Sequence, residues 1–85
     1  MSKFNCCKNA RWVSHADLGH ADSFDLIIGK CSVCNKYWAN VFCTPTAITG
    51  YEKIKTHDVE RLLLLNKTPG KELKEAVSNW LYENT

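Results

Sequence analysis

The stretch that most restricts this chain is Cys31-Ser32-Val33-Cys34, because the residues on either side of it read as β-strand. From Ser23 to Lys30, Phe24, Leu26 and Ile28 alternate with Asp25, Ile27 and Gly29, the period-two pattern of a strand with one buried face. Tyr37 to Cys43 is rich in aromatic and β-branched residues and reads as another strand. Two thiols three positions apart are thereby held at the tip of a hairpin. If the strands pair across that tip, Phe24, Leu26 and Ile28 share a face with Tyr37, Ala39, Val41 and Cys43, and that face is the expected core. The other face carries Asp25, Ile27, Lys36, Trp38, Asn40 and Phe42 and is only half apolar. A register shifted by one residue would exchange the two faces of the later strand.

A cysteine pair of this spacing serves as a metal knuckle, a redox dithiol or a disulfide. A thioredoxin-type dithiol stands at the start of a helix, which helps lower a thiol pKa, whereas Asn35 to Phe42 reads as strand. Disulfides need an oxidising compartment. The opening MSKFNCCKNARW has no long apolar run behind its basic residues and does not read as a signal peptide, and no stretch approaches the length of a bilayer span. The chain is therefore expected in the cytoplasm, where thiols stay reduced, and its five cysteines would leave one sulfur over in any complete pairing. Metal is the leading reading. A chain of 85 residues has a thin core, which a structural metal supplements. A C-x-x-C turn delivers two thiolates, and its backbone N–H groups can bond to the sulfurs. Such turns want a left-handed residue after the second cysteine, and Asn35 tolerates that conformation well. Four cysteines suit zinc or iron; Zn2+ is preferred because structural sites of this spacing most often hold it.

Elsewhere, Arg11 to His15 predicts a short strand and Ala16 to Asp22 a polar loop. The linker-like run Thr44 to Gly50 sets a connector over 44–55, between a zinc-binding β part (1–43) and a helical part (56–85) of one domain. Thr56 is placed to cap a helix over His57 to Asn66, in which Val59, Leu62 and Leu63 form a stripe that Leu64 and Leu65 widen, so that this helix is expected to be covered on two sides. Thr68 and Pro69 supply a cap and a first helical position for a second helix, with Leu73, Ala76, Val77, Trp80 and Leu81 at i, i+3, i+4, i+7 and i+8. The expected fold is α+β: a three-stranded antiparallel meander with a zinc knuckle at one hairpin tip, followed by two C-terminal helices packed on the sheet.

Strand order then selects the remaining ligands. In an up-and-down meander the start of the first strand lies level with the end of the second, which brings Cys6 and Cys7 to the knuckle. The run from Cys34 to Cys43 spans roughly 30 Å at about 3.3 Å per residue, so Cys43, His15 and His20 are expected at the far end of the sheet. The expected metal ligands are Cys6, Cys7, Cys31 and Cys34. Neighbouring residues of a strand point to opposite faces, so Cys6 and Cys7 can both ligate only if the chain turns there, and Lys8-Asn9-Ala10 offers a turn. If only one of them ligates, the fourth position falls to His57 or His15. Cys43 reads as a small core residue.

Over about residues 4 to 43, Cys6-Cys7 and Cys31-Ser32-Val33-Cys34 resemble a zinc-ribbon or zinc-knuckle domain, in which two cysteine-bearing turns clamp a metal between β-hairpins. The first turn departs from that family, which has a second C-x-x-C where this chain has an adjacent pair. The resemblance implies a structural metal and a binding role toward nucleic acid or protein, and no catalytic activity.

Three functional readings follow. Lys8, Arg11, Lys30 and Lys36 cluster near the knuckle with Trp12, Tyr37 and Trp38, which suits contact with single-stranded nucleic acid, although basic groups there also offset a dianionic four-thiolate site. A net charge of +2 does not by itself call for a polyanion. An unidentified protein partner is preferred over nucleic acid. Leu62 to Leu65 with Trp80 and Tyr82 offer an apolar patch for a partner or a second copy. A metal-dependent enzyme using His15, His20 and Asp22 ranks last: four thiolates leave zinc no open position, and there is no His-x-Glu motif upstream of the C-x-x-C.

Overall fold

The computed structural model describes residues 3–21, 23–68 and 70–84. Its elements run β1 (Trp12–Ala21), β2 (Phe24–Cys31), β3 (Tyr37–Cys43), β4 (Ile48–Lys53), α1 (Thr56–Asn66) and α2 (Lys71–Asn84). Among the described residues the strands form one antiparallel sheet in the order β1-β2-β3-β4, and both helices cover one of its faces.

The alternation in β2 and β3 sets that face. Leu26 pairs with Val41 and Ile28 with Ala39, and all four are fully buried. Val59 and Leu62 of α1 and the stripe Leu73, Ala76, Val77, Trp80 and Leu81 of α2 close over them. Fully burying one such side chain stabilises the fold by roughly 1.5–3 kcal/mol, so this layer carries most of the hydrophobic stabilisation. Phe24, Tyr37, Leu63 and Leu65 pack around its rim.

Several expectations are corrected. The connector over 44–55 contains a fourth strand: a turn in which Ala47 takes φ 55 leads into β4, where Gly50 pairs with Val41 and Tyr51 with Asn40. The ladder runs on beyond β4, since Ile54 N–H donates to Tyr37 O at 3.4 Å, and Ile54 drops into the core. The loop expected over 16–22 is instead most of β1, which extends to Ala21. Its register slips between Ser14 and Ala16 and between Asp17 and Gly19, leaving His15 and Leu18 as extra residues. Such bulges break period two, which is why the segment does not read as strand. They also turn Leu18 into the core, and Gly19 takes φ 78 with its N–H held by Asp17 Oδ1 at 2.8 Å. Thr56 begins α1 rather than capping it; Lys55 is the flanking residue and makes no side-chain cap bond. Leu64 is 64% exposed, so α1 is not covered on both sides. Asp22 and Pro69 lie outside the described residues. No helix among the described residues is long and apolar enough to cross a membrane.

Candidate metal centre

The outer face of the sheet is built differently. Trp12, Gly29 and Trp38 lie side by side there, and a Cβ on Gly29 would sit 2.2 Å from Trp12 Cε2, so the indole can cross β2 only because position 29 has no side chain. Trp12 Nε1 donates to Trp38 O at 3.0 Å. Phe4 of the N-terminal arm (3–11) meets Trp38 edge-on at 5.1 Å and Tyr51 at 5.8 Å, and Trp12 meets Tyr51 at 5.7 Å. The arm thus lies over the knuckle end of this face.

Two hydrogen bonds deliver the arm to the knuckle. The β1–β2 ladder continues past Trp12↔Cys31 as Ser32 N–H to Arg11 O at 2.9 Å and Arg11 N–H to Ser32 Oγ at 2.8 Å. The chain then reverses, with Ala10 N–H donating to Cys7 O at 3.2 Å and Asn9 at φ 58. The knuckle repeats this device: Asn35 N–H donates to Cys31 O at 3.0 Å and Asn35 takes φ 61. Each cysteine turn is therefore followed by a left-handed asparagine. The turn at Lys8-Asn9-Ala10 lets the adjacent Cys6 and Cys7 present both sulfurs to one point instead of to opposite faces.

All four sulfurs lie within 4.8 Å of one another. Cys6 Sγ and Cys34 Sγ are 3.4 Å apart, and Cys7 Sγ and Cys6 Sγ 3.9 Å. A tetrahedral zinc ion with Zn–S bonds of about 2.3 Å would set its sulfurs about 3.8 Å apart, so the cluster has the dimensions of such a site. The separations are far longer than a disulfide bond of about 2.05 Å, and all five cysteines are free thiols. Among the described residues no other group of three or more His, Cys, Asp or Glu is close enough together to hold an ion.

The thiols do not behave alike. The Cys31 thiol is lowered to about 7, chiefly by the backbone N–H of Cys34 and against the push of its own burial, with the N–H of Val33, 3.4 Å from its sulfur, helping. Cys7 is pushed up to about 12, first by its hydrogen bond with Cys34 and then by burial. Cys6 is raised too, by burial first and the bond with Cys34 second, while the Trp38 indole pulls the other way. Four sulfurs this close cannot all shed protons by themselves, because each new thiolate repels the next; a cation among them reverses that logic.

The other candidates are not brought here. His57 stands exposed beside Asp58, its Nε2 3.4 Å from Oδ1, and is not part of the cluster. His15 lies against the Tyr37 ring at 5.9 Å, nearer the knuckle than the far end of the sheet where it was expected. His20 Nδ1 pairs with Asp25 Oδ1 at 3.0 Å. Tyr37 pairs with Lys30, five residues along β2 from Asp25, so the two histidines lie roughly 16 Å apart along the strand and do not form one site. Cys43 pairs with Phe24 and Ile48 at the far end, as expected.

Of the residues expected to make stacking or phosphate contacts, Trp38 is buried, Trp12 is half-buried, and both are occupied within the sheet. Lys30 Nζ lies over the Tyr37 ring at 4.9 Å. Lys8, Arg11 and Lys36 are exposed. Sequence reasoning missed Lys53 and Lys55. Together with Lys36, Trp38 and Trp80 they line a cavity of about 630 Å³ between the knuckle, the end of β4 and the C-terminal part of α2. Among the described residues no Asp or Glu lines it. Their place beside the cluster depends on β4, which the Thr44 to Gly50 run hides from any local pattern.

No family model matches the chain, and no curated protein or solved structure matches it either. What the fold and the site define is a small α+β protein with a four-stranded antiparallel sheet, two C-terminal helices and a four-cysteine cluster able to hold a metal ion.

Proposed function

We propose that this chain is a zinc-binding module in which Cys6, Cys7, Cys31 and Cys34 hold a structural Zn2+ and the surface beside the metal receives a protein partner. The observation that carries the metal reading is the meeting of four sulfurs from two turns within 4.8 Å of one another. Zinc is favoured over iron because four closed thiolate positions serve a structural role that needs no redox chemistry. A closed site also gives water no place to be activated, which argues against hydrolysis at this centre. Two cysteine turns, one in the arm before β1 and one between β2 and β3, support the likeness to a zinc ribbon, although the adjacent Cys6 and Cys7 and the two helices depart from that pattern. The cytoplasm follows from the same reading, since the ligands must stay reduced.

The partner reading rests on the lysine-rich cavity beside Cys6. Three ammonium groups, with no Asp or Glu among the described residues that line the cavity, suit an acidic segment of another protein. Single-stranded nucleic acid is the second choice, because Trp12 and Trp38 are spent on sheet packing and cannot offer their faces to bases.

Metal analysis of protein purified without added metal is expected to find zinc at one equivalent per chain, and iron or no metal would overturn the assignment. Titration with an acidic peptide and with a single-stranded oligonucleotide separates the partners. The peptide should perturb the amides of Lys36, Lys53 and Lys55, and Lys53→Gln with Lys55→Gln should weaken it. Tight oligonucleotide binding that falls steeply with salt would favour the second reading.

A further inference from the structure

One buried polar atom on the outer face lacks a hydrogen-bond partner among the described residues, the indole Nε1 of Trp38. Buried donors are nearly always satisfied, so an exception calls for a cause. Trp38 is 3% exposed and held on several sides: Phe4 meets it edge-on at 5.1 Å, Lys53 Nζ lies 5.7 Å over its ring, and its carbonyl accepts from Trp12. The register sets it between the two cysteine turns. Trp38 pairs with Gly29, two residues before Cys31 on the same face, while Phe4, which rests on its ring, is two residues before Cys6. Trp38 and Cys6 line the same cavity.

We propose that the Trp38 indole N–H donates to the Cys6 thiolate of the metal complex, which makes Trp38 a positioning residue that aims this sulfur at the ion. This rests on the metal reading above. A thiolate bound to a cation still has lone pairs facing outward, and donors to them orient the ligand and offset its charge. The role matters most at Cys6 because it comes from an arm with no regular secondary structure, whereas Cys31 is held by the β2–β3 hairpin and by the N–H groups of its own turn. Trp12 serves as an internal control, since its N–H is already bonded to Trp38 O.

The test is NMR of the full chain loaded with 113Cd2+, with the Trp38 indole signal assigned through Trp38→Phe. Loading should move the Trp38 Hε1 resonance downfield and give it a scalar correlation to 113Cd across the N–H···S bond, with none from Trp12 or Trp80. Replacing Trp38 by its benzothienyl isostere, which keeps the shape and removes the N–H, should weaken metal affinity about 10–100-fold in competition with a chelator. An ion bound by four sulfurs with no shift and no correlation at the Trp38 indole overturns the proposal and leaves the metal reading standing. So does full affinity in the isostere when Trp38→Phe has lost it, which would assign the effect to packing. A chain that takes up no Cd2+ overturns both.

Discussion

The two faces of the sheet are closed by different means. On one, the aliphatic side chains of β2 and β3 meet two amphipathic helices, each of which forms its own hydrogen bonds and brings an apolar stripe. On the other, aromatic rings and a glycine meet an arm, residues 3–11, that has no helix or strand of its own. Ordering the backbone of an irregular segment costs about 1–2 kcal/mol per residue, and a few ring contacts near its start offset little of that. The four sulfurs lie where such an arm most needs a cross-link, so the proposed metal acts as a clasp for the outer face while the helical face needs none. That difference teaches where a metal is required in a chain this short: at the face the regular elements leave open.

Breaking the clasp is the largest expected effect. Cys34→Ser should abolish metal uptake, remove exchange protection from amides 3–11 and 31–36, and with it the outer face. Hydrogen exchange with metal analysis reads both, and retained metal would break the comparison. Next comes the helical face. Leu26→Ala, at a fully buried position, should cost about 3 kcal/mol in denaturant unfolding while metal stoichiometry stays unchanged. Gly29→Ala tests the outer packing without touching a ligand: the added methyl collides with Trp12 and should cost about 1–3 kcal/mol. Near-UV circular dichroism should report the displaced indole while helix amides keep their protection. The smallest effect belongs to Cys43→Ser, at the far end of the sheet, which should change stability by no more than about 0.5 kcal/mol and leave metal content intact. A lost metal there would show that the cluster had been drawn from the wrong thiols.

Where a local pattern is undisturbed, the fold was legible in advance. β3 and its inward residues follow from alternation, and the five-residue stripe of α2 follows from helical spacing. Asn35 announces its own left-handed turn. β1 was legible only to His15, because the bulges at His15 and Leu18 disrupt the alternation beyond it. β4 was hidden by Gly50 in its middle and by the polar residues expected of an edge strand. Leu64 looks like core in a run of four leucines, yet the helix turns it to solvent. The meeting of the cysteine pairs could be argued from strand order, and Lys8-Asn9-Ala10 offered the turn that adjacent Cys6 and Cys7 need; the left-handed conformation of Asn9 that makes it is what the structure adds.

The sequence by itself determined the knuckle, the hairpin that carries it, the face of the sheet that becomes the core and the helix stripe that covers it. These depend on turn chemistry and side-chain periods that act over a few residues. Tertiary structure alone decided that the arm lies across Trp38, that Gly29 makes room for Trp12, and that Lys53 and Lys55 come beside Cys6. Each of those facts joins segments far apart in the chain, and such meetings depend on strand order, register and bulges, which no short window of residues encodes.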